Sequence, residues 1–218
     1  RAGQAQRAAE QALARAESVR SDLLRVFHGS RPQAGGERSA SQLLDQGEAI
    51  ARERAAAGDA LLAADLLAMV GDARIQRSEY AQAEALHRQA LALLDGLPAG
   101  GPPRTRVRVL HGLARSGGTT GRSDEALALY AQAIALLPAA ALPAEEALDL
   151  RLSELVMRSA SGRHAQPVQA LRELAAEVAA GPLAGSLRHL QVLDRLSTAL
   201  ALAGTPDDGE LLESRLAL

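Results

Sequence analysis

The chain has 218 residues, and 24 basic side chains against 26 acidic ones leave a net charge of −2. That balance supplies no bulk cation to hold a nucleic-acid backbone, and one Phe, two Tyr and no Trp offer bases almost no ring to stack on. With no Cys there is no disulfide, no thiolate nucleophile and no Cys-type zinc site; no apolar run approaches the roughly 18 residues of a membrane span.

Ala and Leu together make up about two-fifths of the chain, far above ordinary usage. Strands favour β-branched and aromatic residues, which are scarce here, so the composition predicts an all-α fold with closely approaching helices. Every basic side chain is Arg and Asn is absent, a bias of the kind a GC-rich genome produces.

The first predicted helix spans residues 2–27. Ala2, Ala5, Ala9, Ala12, Ala16, Val19, Leu23 and Val26 alternate spacings of three and four, which makes one continuous seam. His28 to Pro32 ends it, and Gly35-Gly36 continues the break. Ser39 caps a second helix with Gln42 at the capping-box position, and this helix runs to about Ala57 before Gly58-Asp59. From there the pattern becomes helix, short turn, helix: 60–77 and 80–95, a Gly/Pro-rich linker, 104–116 and 123–137, 143–160 and 165–180, then 185–203 and 208–217. Ser123 is the expected cap of the helix 123–137 and Pro138 its expected stop. A period of roughly 34–43 residues is the signature of a helical-hairpin solenoid.

The repeat resembles a tetratricopeptide repeat. In residues 64–95, Leu67, Val70, Gly71, Tyr80, Ala83 and Ala90 fall on motif positions, while Arg74 and His87 replace aromatics. In residues 107–138, Leu110, Leu113, Ala114, Gly121, Ala126, Tyr130, Ala133 and Pro138 are in register, with Gly117 and Ser123 at aromatic sites. A copy near 148–179 keeps little beyond Gly162 and the hairpin rhythm, and one from about 190 keeps Leu193, Leu196, Ser197, Leu200 and Gly204. The resemblance implies an all-α tetratricopeptide-like helical-hairpin solenoid preceded by a long N-terminal helix. Residues 1–58 would form a juxtamembrane-like helix and a capping helix, and 59–218 about four hairpins.

A narrower resemblance covers the N-terminal part: Ala16-Glu17-Ser18-Val19-Arg20-Ser21-Asp22-Leu23-Leu24, Phe27, a Gly-containing linker, then Ser41-Gln42-Leu43-Leu44-Asp45-Gln46-Gly47. This is similar to the extracytoplasmic tetratricopeptide-repeat region of bacterial transmembrane serine/threonine protein kinases. It implies a region on the periplasmic face of the inner membrane, not itself inserted but tethered by an upstream transmembrane helix. The alternative is a cytoplasmic scaffold or the regulatory module of a transcriptional regulator.

Catalytic chemistry is not visible. His28, His87, His111, His164 and His189 are dispersed among different hairpins, no nucleophile elbow occurs, and no kinase signature is present. Gly112 to Thr119 echoes a phosphate loop, but Gly118 stands where the Lys should be, so a turn is the simpler reading. No catalytic residue, cofactor or metal ligand is assigned.

The inner faces of the first helices of the hairpins carry the binding candidates. Repeat 1 presents Asp65, Ala68, Asp72 and Gln76; repeat 2 presents Arg108, His111 and Arg115, spaced i, i+3 and i+7 on one stripe that could clamp a carboxylate. Leu152 and Val156, then Gln191, Asp194 and Thr198, continue the series. The competing reading is that Asp65 and Asp72 pair with those arginines between neighbouring repeats. The expected function is thus a non-catalytic sensor or protein-interaction region that binds a peptide, protein or small ligand, with no nucleic-acid partner. The Ala seam of helix 2–27 could pair with a second copy as a homodimer or fold back on the repeats.

Overall fold

A computed structural model describes residues 39–161 and 165–204, and over these residues the chain is helical with no strand. The predicted helices 2–27 and 208–217 lie outside the described residues. Eight helices follow in order: α1 (Ala40–Ala56), α2 (Ala60–Gln76), α3 (Tyr80–Asp95), α4 (Pro103–Thr119), α5 (Ser123–Ala140), α6 (Ala144–Ala160), α7 (Ala165–Ala179) and α8 (Leu187–Leu202). A 3₁₀ turn, Pro98–Gly100, sits in the linker before α4. The described residues divide into two compact units, unit 1 up to Ser116 and unit 2 from Gly117.

Local sequence explains most of the boundaries. Ser39 forms the predicted capping box with Gln42: its hydroxyl accepts from the Gln42 amide, and the Gln42 side chain accepts from the Ser39 amide. Asp59 caps α2 through the Leu62 amide, and Ser186 caps α8 through the His189 amide. Three expectations are corrected. Ser123 is the first residue of α5 and not its cap; Arg122 precedes it without a side-chain cap bond. Pro138 does not stop α5, which continues to Ala140 and ends at Ala141 in the left-handed region (φ 46). Residues 117–119 extend α4 as helix where Gly117-Gly118 predicted a break. Neither glycine lacks amides or carbonyls for helical bonding, so packing decides. Gly118 in fact accommodates Met157 of α6, whose methyl would lie 2.0 Å from an added Cβ.

Unit 1 is organised around α2, where Leu62, Ala63, Ala64, Leu67, Ala68 and Ile75 are all buried. Helix α1 packs on one side of it, where Gly47 lets Val70 approach to 2.9 Å from the position of a missing Cβ. The same junction carries an ionic latch. The buried Arg74 guanidinium donates to Asp45 of α1 (2.6 Å) and to Glu79 of the α2–α3 turn (2.7 Å), and Arg77 donates to Glu79 as well (2.7 Å). Burial pushes Arg74 down, but the bonds to Asp45 and Glu79 outweigh it and hold the group above its ordinary value. Thus Arg74, at a motif position expected to be aromatic, ties three segments together by charge.

Helix α3 closes the hairpin with Ala83, Leu86, His87, Ala90 and Leu94 buried. His87 is fully enclosed, and its ring lies between two glycines. A Cβ on Gly71 of α2 would come within 2.4 Å of the ring, and one on Gly112 of α4 within 2.1 Å. The two helices can therefore approach the imidazole from both sides only because both residues lack side chains.

In unit 2, α7 and α8 share a core with α6. Leu148, Leu155, Leu171, Leu174, Val192 and Leu196 are among its buried members. A bidentate pair from Arg151 to Glu177 (2.7 and 2.8 Å) bridges α6 and α7 at the surface.

Two expectations test this packing. Gly112→Ala places a methyl on the enclosed ring and is expected to cost about 1–3 kcal/mol in chemical denaturation; an additional His87→Ala should recover part of that loss. The Glu79 carboxyl is held below its usual range by hydrogen bonds from Arg77 and Arg74. Its stabilising contribution is therefore fully present above the ordinary glutamate range and fades as pH falls through the lowered folded value. Thermal melting of Glu79→Gln should fall below the parent at pH 7, and the two curves should converge as pH falls below the lowered Glu79 value.

Candidate functional site

Helices α2 and α4 run side by side in unit 1. The Thr105 hydroxyl donates to Asp65 (2.8 Å), and His87 touches both Gly71 and Gly112, so contacts advance in the same direction along both helices. The two first helices are parallel, as successive hairpins of one handedness require.

Each helix leaves one stripe open to solvent. On α2 it runs through Leu61, Asp65, Met69, Asp72 and Gln76; Gln76 is exposed and the others are half-buried. On α4 it runs through Arg104, Arg108, His111 and Arg115, with Arg104 exposed and the other three half-buried. Spacings of three and four residues place each set on one face. The six predicted residues, Asp65, Asp72, Gln76, Arg108, His111 and Arg115, thus all fall on these stripes. Ala68 does not: it is fully buried, and the neighbouring Met69 holds the position. Arg104 was missed, although it stands four residues before Arg108 in the same register.

The acidic residues of α2 have partners other than the arginines expected of them. Asp65 accepts from Thr105. The Asp72 carboxylate lies 3.3 Å from Nε2 of His87 and remains 40% exposed. His87 was read from the sequence as a departure from the motif; the structure makes it the enclosed neighbour of an exposed stripe residue. The signal that could have found it is its flanking by Gly71 and Gly112, each unusual in a helix interior.

The electrostatic character of α4 is simple. Pro103–Thr119 contains Arg104, Arg106, Arg108, Arg115 and His111, and no carboxylate. Arg106 turns away from the stripe and donates to Asp95 (2.8 Å) and to the Gly100 carbonyl (3.2 Å). Arg104, Arg108 and Arg115 lie along the open face, and His111 stands in the same register with its Nε2 atom buried.

In unit 2 the predicted positions are open as well: Leu152 is half-buried and Val156 exposed on α6, and Gln191, Asp194 and Thr198 are exposed on α8. A cavity of about 210 Å³ lies elsewhere in that unit, with an apolar wall of Leu148, Leu174, Val178 and Leu183 beside the Arg151–Glu177 pair. Among the described residues no group of three or more His, Asp or Glu is placed to hold a metal ion, and no helix is long and apolar enough to cross a membrane.

No protein-family model matches the chain, and no curated protein matches it. Solved structures do. A kinesin-light-chain-like protein of Podosopora anserina, built from nearly identical TPR-like repeats, superposes with a TM-score of 0.55 at 22% identity, over 80% of this chain and 93% of that one. A second crystal structure of that protein gives a TM-score of 0.55 at 21% identity, over 83% and 96%. The likeness shows the fold: a tetratricopeptide-like array of helical hairpins.

Replacing Thr105 by Val keeps its shape but removes the donor to Asp65. Urea denaturation should show a loss of about 1 kcal/mol, the ordinary worth of one such bond.

Proposed function

We propose that the chain is a non-catalytic protein-interaction region whose open α2–α4 face binds an acidic segment of a partner protein. The observation that carries this reading is the α4 stripe. Arg104, Arg108, His111 and Arg115 lie along one face of a helix without a single carboxylate, beside a parallel helix in a fold built for such faces. Guanidinium groups at this spacing can each donate two hydrogen bonds to a carboxylate, which an ammonium cannot do with the same geometry. The companion stripe on α2 carries Asp65 and Asp72, each already in contact with Thr105 or His87. The acids of α2 therefore shape the edge of the surface while α4 supplies its attraction.

The wider reading is that this region is the sensor of a membrane-bound serine/threonine kinase, on the periplasmic face of the inner membrane. It is supported by the resemblance of residues 16–27 and 41–47 to the segment that follows the span in such kinases. On this reading, partner binding biases the kinase through the N-terminal helix, alone or as a homodimer. Determining the coding sequence upstream of Arg1 tests it: an apolar span preceded by a kinase domain is expected, and a DNA-binding or ATPase domain there overturns it.

The binding surface is tested by Arg108→Glu with Arg115→Glu. Both side chains are only half-buried, so the variant should fold. Binding of a glutamate-rich peptide, measured by calorimetry, should fall about tenfold or more, since each reversal replaces attraction by repulsion at a partly desolvated contact. Unchanged binding by the folded variant removes the α4 face from the reading.

A further inference from the structure

Core packing alone does not account for the choice of a histidine at position 87. A fully enclosed side chain at an aromatic position serves packing best as a hydrocarbon ring. Here it is an imidazole whose two nitrogens stand in unlike surroundings. Nδ1 lies 2.8 Å from the carbonyl oxygen of Ala83. A carbonyl only accepts, so Nδ1 carries the hydrogen. In the neutral ring Nε2 is then a bare acceptor. It has no hydrogen-bond partner, and it faces the Oδ1 atom of Asp72 at 3.3 Å, a second acceptor.

The ring cannot relieve this by turning aside, because Gly71 and Gly112 close on its two faces. One event does relieve it. A proton on Nε2 turns the contact into a donated hydrogen bond between imidazolium and carboxylate, and Nδ1 keeps its bond to Ala83 throughout.

We propose that His87 is a buried proton-responsive group that sets the charge Asp72 presents on the open face of α2. With the ring neutral, Asp72 stands on the stripe as an unneutralised carboxylate, next to the basic stripe of α4. With the ring protonated, the same carboxylate is bound from behind, and the α2–α4 face as a whole gains one positive charge. The other charged groups around the ring do not duplicate this. On α3, Glu84 and Arg88 form an ion pair with each other; on α4, Arg108, His111 and Arg115 lie within four positions of Gly112 in the sequence; on α2, Asp72 is the acid at the ring edge. The consequence is a surface that binds an acidic segment more tightly in acid. That consequence rests on the binding reading above, whereas the protonation event does not.

The test uses the full 218-residue chain. The imidazole ¹⁵N signals of His87 and the carboxyl ¹³C signal of Asp72 are followed by NMR from pH 8 to pH 5. Nε2 should pass from bare to protonated, Nδ1 should remain protonated, and Asp72 should report the same midpoint. In a His111→Gln background, which removes the half-buried histidine of the stripe, a glutamate-rich decapeptide should bind about two- to fivefold more tightly at pH 5.5 than at pH 8. Asp72→Asn in that background should abolish the difference. His87→Phe should abolish it too, and the Asn variant carries the test if Phe does not fit the glycine slot. A ring that keeps Nε2 bare to pH 5 in the folded protein overturns the proposal, as does a pH dependence that survives in Asp72→Asn. If the peptide binds at neither pH, the binding reading fails, and the NMR titration alone decides the proton response.

Discussion

An imidazole held between two glycines fixes the geometry of unit 1. Successive hairpins must bring their first helices within reach of a common second helix, and something must fill the space between them. In this chain His87 of α3 fills it, with α2 and α4 drawn onto its faces through Gly71 and Gly112. The register of the two first helices follows. Once the glycines are seated on the ring, Thr105 comes level with Asp65 and forms its hydrogen bond. The two open stripes are thereby set side by side along parallel helices. Whatever binds this face meets charges whose spacing traces back to the enclosed ring.

Charge does structural work in the same unit where aromatic residues are missing. The tetratricopeptide pattern places rings at the positions of Arg74 and His87, and a chain with only three aromatics cannot supply them. Arg74 substitutes by reaching acids on two other segments, Asp45 and Glu79. Asp45 is largely exposed, so its pair with the buried Arg74 adds little net stability. It therefore specifies the seating of α1 more than it adds net stability. It also explains why α1, which buries little beyond Gly47, Ile50 and Ala51, packs on α2 in a defined register.

The helical order and most helix ends were legible in the sequence because they depend on local chemistry: the Ser39–Gln42 box, the turn at Ser78-Glu79, the break at Gly181-Pro182. The misread ends were decided by tertiary packing. Gly117 and Gly118 read as a break, yet Gly118 is the seat of Met157, and contact overrides low helix propensity. Pro138 read as a stop, yet it lies near the end of α5, where little helix remains to be disrupted. The six stripe residues were legible from helical spacing alone, since exposure on a packed helix repeats at three and four. Ala68 and Met69 show the limit of that logic, because a shift of one residue moves a side chain from the open face to the core.

What spacing could not reveal was the chemistry between elements. His87 and Asp72 are fifteen positions apart and on different helices, and nothing in either local sequence announces their contact. The clue was the pair of glycines on flanking helices, which have meaning only when the ring between them is known. The same contact separates two roles that the sequence merged. Asp65 and Asp72 looked like equivalent acids awaiting arginine partners. Asp65 is a structural acceptor for Thr105, whereas Asp72 keeps one side open to solvent and the other against a group that can change its charge. The repeat surface thus sets one fixed and one adjustable acid beside a helix that carries no carboxylate. The difference between the two acids arises from one histidine placed where the motif calls for an aromatic ring.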